Sequence, residues 1–216
     1  MTPTTDFITI IGFGSLLCPE SARKTCPSLQ NFRQARVEGY ARIFNKVDPN
    51  SPTFDHEHIA NWAFIEKPDH TTLVTVFEID PTDYPDFIKR EGEYDLKSLT
   101  FIDETGQIGQ GVACCAFETN DDFLRFLENN ETQKDHYYNT IAPKYDGDTW
   151  RNDIFPRPAY LAFCLMAAKK ISDLYVENIL SQSYLSDKKT SLKDYIRSTY
   201  EEIDEYRNIK WLKDFL

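Results

Sequence analysis

Apolar and polar positions follow two rhythms along this chain. Ile8-Thr9-Ile10-Ile11 is an apolar, largely β-branched run that breaks at Gly12 and Gly14 and passes into Ser15-Leu16-Leu17, the pattern of a buried strand, a tight loop and a helix start. Further strands are predicted over 34–44, around Gly39, and over 60–65 and 73–79, with Glu66-Lys67-Pro68-Asp69 read as the turn between the last two. A hairpin follows over 96–102 and 109–117, turning at Asp103-Glu104-Thr105-Gly106. Up to that point the pattern is mainly antiparallel β.

The helical rhythm enters with a short helix over 19–23 and a second one capped by Asp80-Pro81-Thr82-Asp83. In the second, Tyr84, Phe87, Ile88 and Glu91 stand at i, i+3, i+4 and i+7, with Pro85 in the first turn and Gly92 closing the far end. Asn120-Asp121-Asp122 is predicted to cap a helix running through Leu127. Residues 129–153 are polar, punctuated by Tyr137, Tyr138, Tyr145 and Trp150, and read as an ordered but irregular loop. Pro156-Arg157-Pro158-Ala159-Tyr160 opens a strongly apolar helix, another is predicted over 172–185, and a last one starts at Thr190. The tail 199–216 sets Tyr200, Ile203, Tyr206, Trp211 and Phe215 among acids, an amphipathic end able to pack back or to meet a partner.

The 216 residues, 41% hydrophobic and 14% aromatic, suffice for a packed core. A net charge of −11 leaves no basic stripe for phosphates and argues against nucleic acid and acidic membrane surfaces as partners. No apolar run reaches the roughly 18 residues that span a bilayer, and the start, Met1-Thr2-Pro3-Thr4-Thr5-Asp6, has no basic segment followed by an apolar one, so the cytosol is the expected compartment. Five cysteines without a Cys-x-x-Cys spacing fit reduced thiols. Asp55-His56-Glu57-His58 puts two imidazoles on one side of an extended segment, but it follows the turn-rich stretch 48–53 and reads as a solvated loop rather than a metal site.

Two features carry candidate chemistry. Past the first strand, glycines without Cβ allow the amides of Gly14, Ser15 and Leu16 to converge on one anionic group, a carboxylate cradle; an ordinary glycine turn would give the same residues. On the second helix, Glu91 lies on the apolar stripe while Asp86, Lys89 and Arg90 take the other side. An inward carboxylate must be partnered or hold a proton, and desolvation would raise its pKa toward the range of general acid and base work. The other reading is that Glu91 pairs with Arg90 or caps a strand.

Four segments, in order, resemble the gamma-glutamylcyclotransferase family. Gly12-Phe13-Gly14-Ser15-Leu16-Leu17 is similar to its Tyr-Gly-Ser-x-Leu loop, with Phe13 where tyrosine is usual. Gly39-Tyr40-Ala41-Arg42-Ile43-Phe44 is similar to its Gly-Tyr/Phe-x-x-x-Phe strand, and Arg90-Glu91-Gly92-Glu93-Tyr94 to the helix end that carries its catalytic glutamate. Pro156-Arg157-Pro158-Ala159-Tyr160 resembles the Pro-Ser-Pro-x-Tyr that opens a late helix. The likeness runs over about 7–182 and is weakest over 129–153.

The resemblance implies an α+β fold: a small mixed, largely antiparallel β-barrel with surrounding helices, over 1–182, followed by a helical C-terminal extension over 183–216 that packs on it or on a partner. It implies a small-molecule gamma-glutamyl substrate whose own α-amine attacks its γ-carbonyl and releases 5-oxoproline. Glu91 would be the general acid/base, Gly14, Ser15 and Leu16 would hold the α-carboxylate beside Phe13, and Tyr94 and Tyr160 would offer hydroxyls. Glu93 is the other carboxylate within reach in sequence, expected to face away from Glu91. The reaction requires no metal and no organic cofactor. A non-catalytic small-carboxylate-binding or protein-interaction module on the same fold, with a homodimer or protein partner through the tail, is the alternative.

Overall fold

The computed structural model describes residues 7–49 and 56–216. Residues 1–6, most of the turn-rich stretch and Asp55 of the histidine segment lie outside them. The β-branched run forms β1 (Ile8–Gly12), and Pro19 in the first turn starts α1 (Pro19–Arg23) after a 3-10 turn at Gly14–Leu17. β2 (Gln30–Val47) and β3 (Ala60–Ile79) are longer than predicted and pair with each other from Gln30↔Glu78 to Val47↔Ala60. One ladder thus replaces the two separate strands expected after residue 60. The predicted turn survives as an irregularity within it: Glu38 pairs with Thr71 and Tyr40 with Glu66, so Lys67-Pro68-Asp69-His70 bulges opposite Gly39. A proline is tolerated there because the bulge needs no N–H from it.

β4 (Asp95–Asp103) and β5 (Ile108–Cys115) make the predicted hairpin, its turn held by Asp103 Oδ1, which accepts from Thr105 N–H, Thr105 Oγ1 and Gln107 N–H. Antiparallel pairings β1 to β3, β3 to β2, β2 to β4 and β4 to β5 close on a parallel contact of β5 with β1. The result is an α+β fold built on a closed five-stranded mixed barrel with helices around it, and Ile10, Ile43, Phe64, Val76, Phe77 and Ala113 of its strands are buried on one or the other face.

Helix α2 (Tyr84–Glu91) turns Phe87 into the core as its stripe requires. Its expected Asp83 cap differs: the Asp83 carboxylate accepts from Ser28 N–H and Oγ (2.9 and 2.6 Å) instead of from its own helix. α3 (Asn120–Glu128) is capped one residue early, by Thr119, in a reciprocal box with Asp122. The stretch read as an irregular loop is largely helical: α4 (Glu131–His136) continues through a wider turn at Tyr137–Ile141 and a 3-10 turn at Ala142–Lys144. Burial of Tyr137, Ile141 and Trp150 against Phe123 and Phe117 supplies the driving force that local propensity lacked.

α5 (Pro158–Ile171) is apolar on most sides, and Ser172 caps α6 (Asp173–Ser181). The helix expected through 185 stops there, because Ser183–Leu185 leaves it to lie parallel to β2 as β6. α7 (Leu192–Thr199), α8 (Asp204–Arg207) and a 3-10 turn at Lys210–Phe215 complete the chain. Tyr200, Tyr206, Ile209 and Leu212 join the same buried cluster as the barrel, and Lys169 of α5 lies over the rings of Trp211 and Phe215. No helix among the described residues is long and apolar enough to cross a membrane.

Candidate active site

One end of the barrel opens into a cavity of about 420 Å³. The parts of the chain that converge on it include the loop after β1 (Phe13, Ser15, Leu16), the end of α2 with the turn into β4 (Arg90, Glu91, Glu93, Tyr94), the outer ends of β2 and β3 (Lys46, Asp48, Asn61, Trp62) and the first turns of α5 (Arg157, Ala159, Tyr160, Phe163). The last group is delivered by an extended segment. Val47 N–H donates to Thr149, Ala60 N–H to Phe155 and Arg157 N–H to Ala60, so this segment runs along the strand ends and then turns into the helix.

Three ion pairs line the cavity. Arg90 Nε is 2.8 Å from Glu91 Oε1, Arg157 Nη2 is 3.0 Å from Asp48 Oδ2, and Lys46 Nζ pairs with the Glu93 carboxylate. The Glu91 side chain keeps 12% of its exposure. Arg90 also donates to the Ser21 carbonyl, to Thr25 Oγ1 and, at 3.0 Å, to Ser15 Oγ. One guanidinium therefore ties the loop after β1 to the carboxylate of α2. Cys114 of β5, whose thiol is held well above its usual range by burial and then by the neighbouring Glu91, completes the surroundings of that carboxylate.

The other polar groups are held in definite states. Burial pushes the Tyr94 and Tyr160 hydroxyls well above the usual phenol range, so both are donors at neutral pH. At Lys46 burial alone would pull the ammonium down, but Glu93 outweighs it and the group titrates above its ordinary value. Phe13 stacks on Phe64 with ring centroids 4.0 Å apart and, having no hydroxyl, presents only an aromatic wall. Gly14 has φ +65°, and a Cβ on it would sit 2.3 Å from the Tyr160 hydroxyl. Only glycine fits between that backbone and that phenol.

The sequence matches no family model and no curated protein. Its neighbours among solved structures include gamma-glutamyl cyclotransferase and AIG2-like proteins. A structure described as gamma-glutamyl cyclotransferase is 14% identical, covers 61% of this chain and 86% of its own, and superposes with a TM-score of 0.46. One from yeast, described as a gamma-glutamyl cyclotransferase specific to glutathione, is 14% identical and covers 78% of this chain and 98% of its own, at 0.37. An AIG2-like protein from Mus musculus is 14% identical and covers 55% of this chain and 82% of its own, at 0.38. Likenesses at this level assign no residue.

Of the residues singled out from sequence, Phe13, Ser15, Leu16, Glu91, Tyr94 and Tyr160 line this one cavity, and Gly14 lies against Tyr160. Three expectations change. Arg90, expected with Asp86 and Lys89 on the side of α2 away from Glu91, lines the cavity and pairs with Glu91, the other reading given for that carboxylate. The Leu16 N–H donates to the Phe13 carbonyl at 3.3 Å, closing the 3-10 turn, which leaves the amides of Gly14 and Ser15 as the ones without an intrahelical partner. Glu93 does not face away: α2 ends at Glu91, Tyr94 N–H donates back to the Glu91 carbonyl, and the turn brings both carboxylates to the same cavity. Gly92 allows that turn by its size, since a Cβ would sit 2.8 Å from the Ile88 carbonyl oxygen.

Lys46, Asp48, Asn61, Trp62 and Cys114 were not singled out as site residues. The available signal was parity: Lys46 and Asp48 are charged residues at the end of a strand otherwise reading as buried, where a charge needs a partner. Among the described residues no group of three His, Cys, Asp or Glu side chains is placed to hold a metal ion.

Proposed function

We propose that the protein is a gamma-glutamyl cyclotransferase-type enzyme that releases 5-oxoproline from a small gamma-glutamyl compound. The observation that carries this reading is Arg90, which joins Ser15 Oγ and Glu91 Oε1 across a single cavity and so couples a carboxylate-holding loop to an acid/base group. The substrate's α-carboxylate lies at the Gly14 and Ser15 amides within reach of the Arg90 guanidinium, a charge-assisted arrangement that curls the chain so that amine and γ-carbonyl meet. Glu91 takes a proton from the α-ammonium and the amine attacks the γ-carbon; as the amide C–N bond breaks that proton passes to the leaving nitrogen, and the second proton of the attacking nitrogen follows through Glu91 to the same product, giving a neutral lactam and an ammonium. Tyr160 and Tyr94, both protonated donors, polarise the γ-carbonyl as it becomes an oxyanion.

The test is incubation with glutathione, gamma-glutamyl dipeptides and gamma-glutamylamines with 5-oxoproline followed by mass spectrometry. Glu91→Gln, folded as judged by circular dichroism, is expected to lose about 10²- to 10⁴-fold in rate, the worth of a positioned acid/base group. No product from the parent chain would leave a carboxylate-binding module as the reading to pursue, whereas product from a Glu91→Gln variant as active as the parent would take the acid/base role away from Glu91.

A further inference from the structure

A second cavity, of about 520 Å³, lies where β2, β3, β4 and the end of β5 come together, and it shares no described residue with the candidate active site. Its volume is that of a small-molecule site. Tyr40 of β2, Phe64 of β3 and Phe117, just past β5, give it apolar walls. Ala116 N–H donates to the Phe64 carbonyl at 2.8 Å, so the chain leaving β5 stays against β3 and brings Phe117 and Glu118 to the cavity. Asn45 reaches it from β2, whereas its neighbour Lys46 lines the other cavity. Asn45 keeps 8% of its exposure, and its Oδ1 is buried without a hydrogen-bond partner. An open amide oxygen at the wall of a cavity marks where a ligand's polar atom belongs.

Charge decides what kind of ligand that is. Glu66, Asp95, Glu118 and Asp122 stand around the cavity against Lys97 and Lys188. Lys97 is taken up by Asp95 at 3.0 Å, and Asp122 by Arg125 and by the Thr119 cap. Glu66 and Glu118 are exposed and hold no ion pair among the described residues. Past Asn45, Glu118 and Lys188 the cavity continues into a broader groove that adds Asp121, Asp148 and Asp187, while the Arg151 there is committed to Asp153. Among the described residues no three acidic, histidine or cysteine side chains are placed to hold a metal ion, so a compact cation lacks its ligands. Separated carboxylates around aromatic walls suit a cation whose charges are spaced along an aliphatic chain. Its methylenes cover the rings, and its ammonium groups give hydrogen bonds to Asn45 Oδ1 and the carboxylates.

We propose that this cavity binds a linear aliphatic polyamine, its ammonium groups held by Asn45 Oδ1, Glu66 and Glu118 and its methylenes lying on Tyr40, Phe64 and Phe117. The proposal goes beyond the cyclotransferase reading and does not depend on it, since the two cavities have no described residue in common. Lysine side chains carry the same ammonium groups, so a lysine-rich protein segment is the competing source that the experiment has to separate.

The experiment is calorimetric titration of the full chain with spermidine at about 150 mM salt, where diffuse attraction to an acidic surface is largely screened. Saturable binding of one spermidine per chain is expected, with n-butylamine, which has the aliphatic chain and a single charge, weaker by at least about fivefold. Glu66→Gln and Glu118→Gln, both at exposed positions, should each weaken spermidine by about threefold to fivefold, and Asn45→Leu by about tenfold. Glu205→Gln removes an exposed acid that lines neither groove and should change nothing. Asn45→Leu alters a buried position, so the two glutamate variants decide the matter if it fails to fold. No binding at that salt, unchanged affinity in the Glu66 and Glu118 variants, or an equal loss in Glu205→Gln overturns the proposal. Tetralysine binding more tightly than spermidine overturns it in favour of a protein segment.

Discussion

Two buried cations four residues apart on β2 are treated in opposite ways. Arg42 is wholly buried beside the barrel with no carboxylate of the described residues paired with it: it donates to Asn178 Oδ1 and to the Leu73 carbonyl, lies over the Trp62 ring, and is pulled down by burial to about 10. Lys46 is nearly as buried, but it meets Glu93, sits over the Tyr94 ring, and is held above its ordinary value. Two neutral acceptors, which leave its buried Nε without a partner, hold a guanidinium that fastens α6 to β3, since Asn178 also accepts from Leu73 N–H and donates to the Thr71 carbonyl. A full ion pair facing a cavity does no such fastening. Buried charges that the fold could dispense with are where function is to be sought.

The largest effect on stability is expected where that pair is broken on one side. Glu93→Ala leaves the Lys46 ammonium buried and unpaired, at about 3–5 kcal/mol; urea unfolding measures it. Removing both charges in the Lys46→Met, Glu93→Gln double variant should return most of that stability, since a buried pair contributes little net, while 5-oxoproline release falls. Retained activity in the double variant would place the pair on the structural side of the comparison.

Arg42→Ala is next, at about 2–4 kcal/mol, from the lost packing and the half-buried Leu73 carbonyl left without its guanidinium. Product formation per folded molecule should stay within about threefold, because no atom of Arg42 lines the cavity; a larger loss would mean that Arg42 acts on the site through Trp62.

The same contrast separates what the sequence made legible. The glycine loop and the inward Glu91 are local patterns, a run of β-branched residues broken at Gly12 and a stripe at i, i+3, i+4 and i+7, and the fold keeps both. Arg157 was visible only as part of a motif, and its partner Asp48 lies 109 positions earlier, across a pairing that no local window contains. Glu93 was misjudged because helical parity was carried two residues past the end of α2. β6 and the helix at 131–141 were missed for a related reason. Their conformations are set by the edge of β2 and by the aromatic cluster around Phe117, and tertiary contacts of that kind override propensity.

The smallest effect is also the one that tests the contrast without removing either site from its surroundings. Above pH 10 the two cations act on stability with opposite sign. Arg42 titrates near 10 in the folded protein and higher in the unfolded chain, so over that interval the unfolded chain binds the extra proton and stability gains as pH rises. Lys46 is raised, so the folded protein binds the extra proton once pH passes the unfolded value, and its contribution is lost as pH rises through the folded one. The buried hydroxyls of Tyr94 and Tyr160 are raised as well and act in the Lys46 direction. Stability should therefore decline on the alkaline side in the parent chain. The decline should be steeper in Arg42→Met and shallower in the Lys46→Met, Glu93→Gln double variant, each by at most about 1.4 kcal/mol per pH unit, the weight of one linked proton. Denaturant midpoints collected from pH 9 to 11.5 read the slopes directly, and slopes that shift the same way in both variants would mean that the two cations share one environment after all.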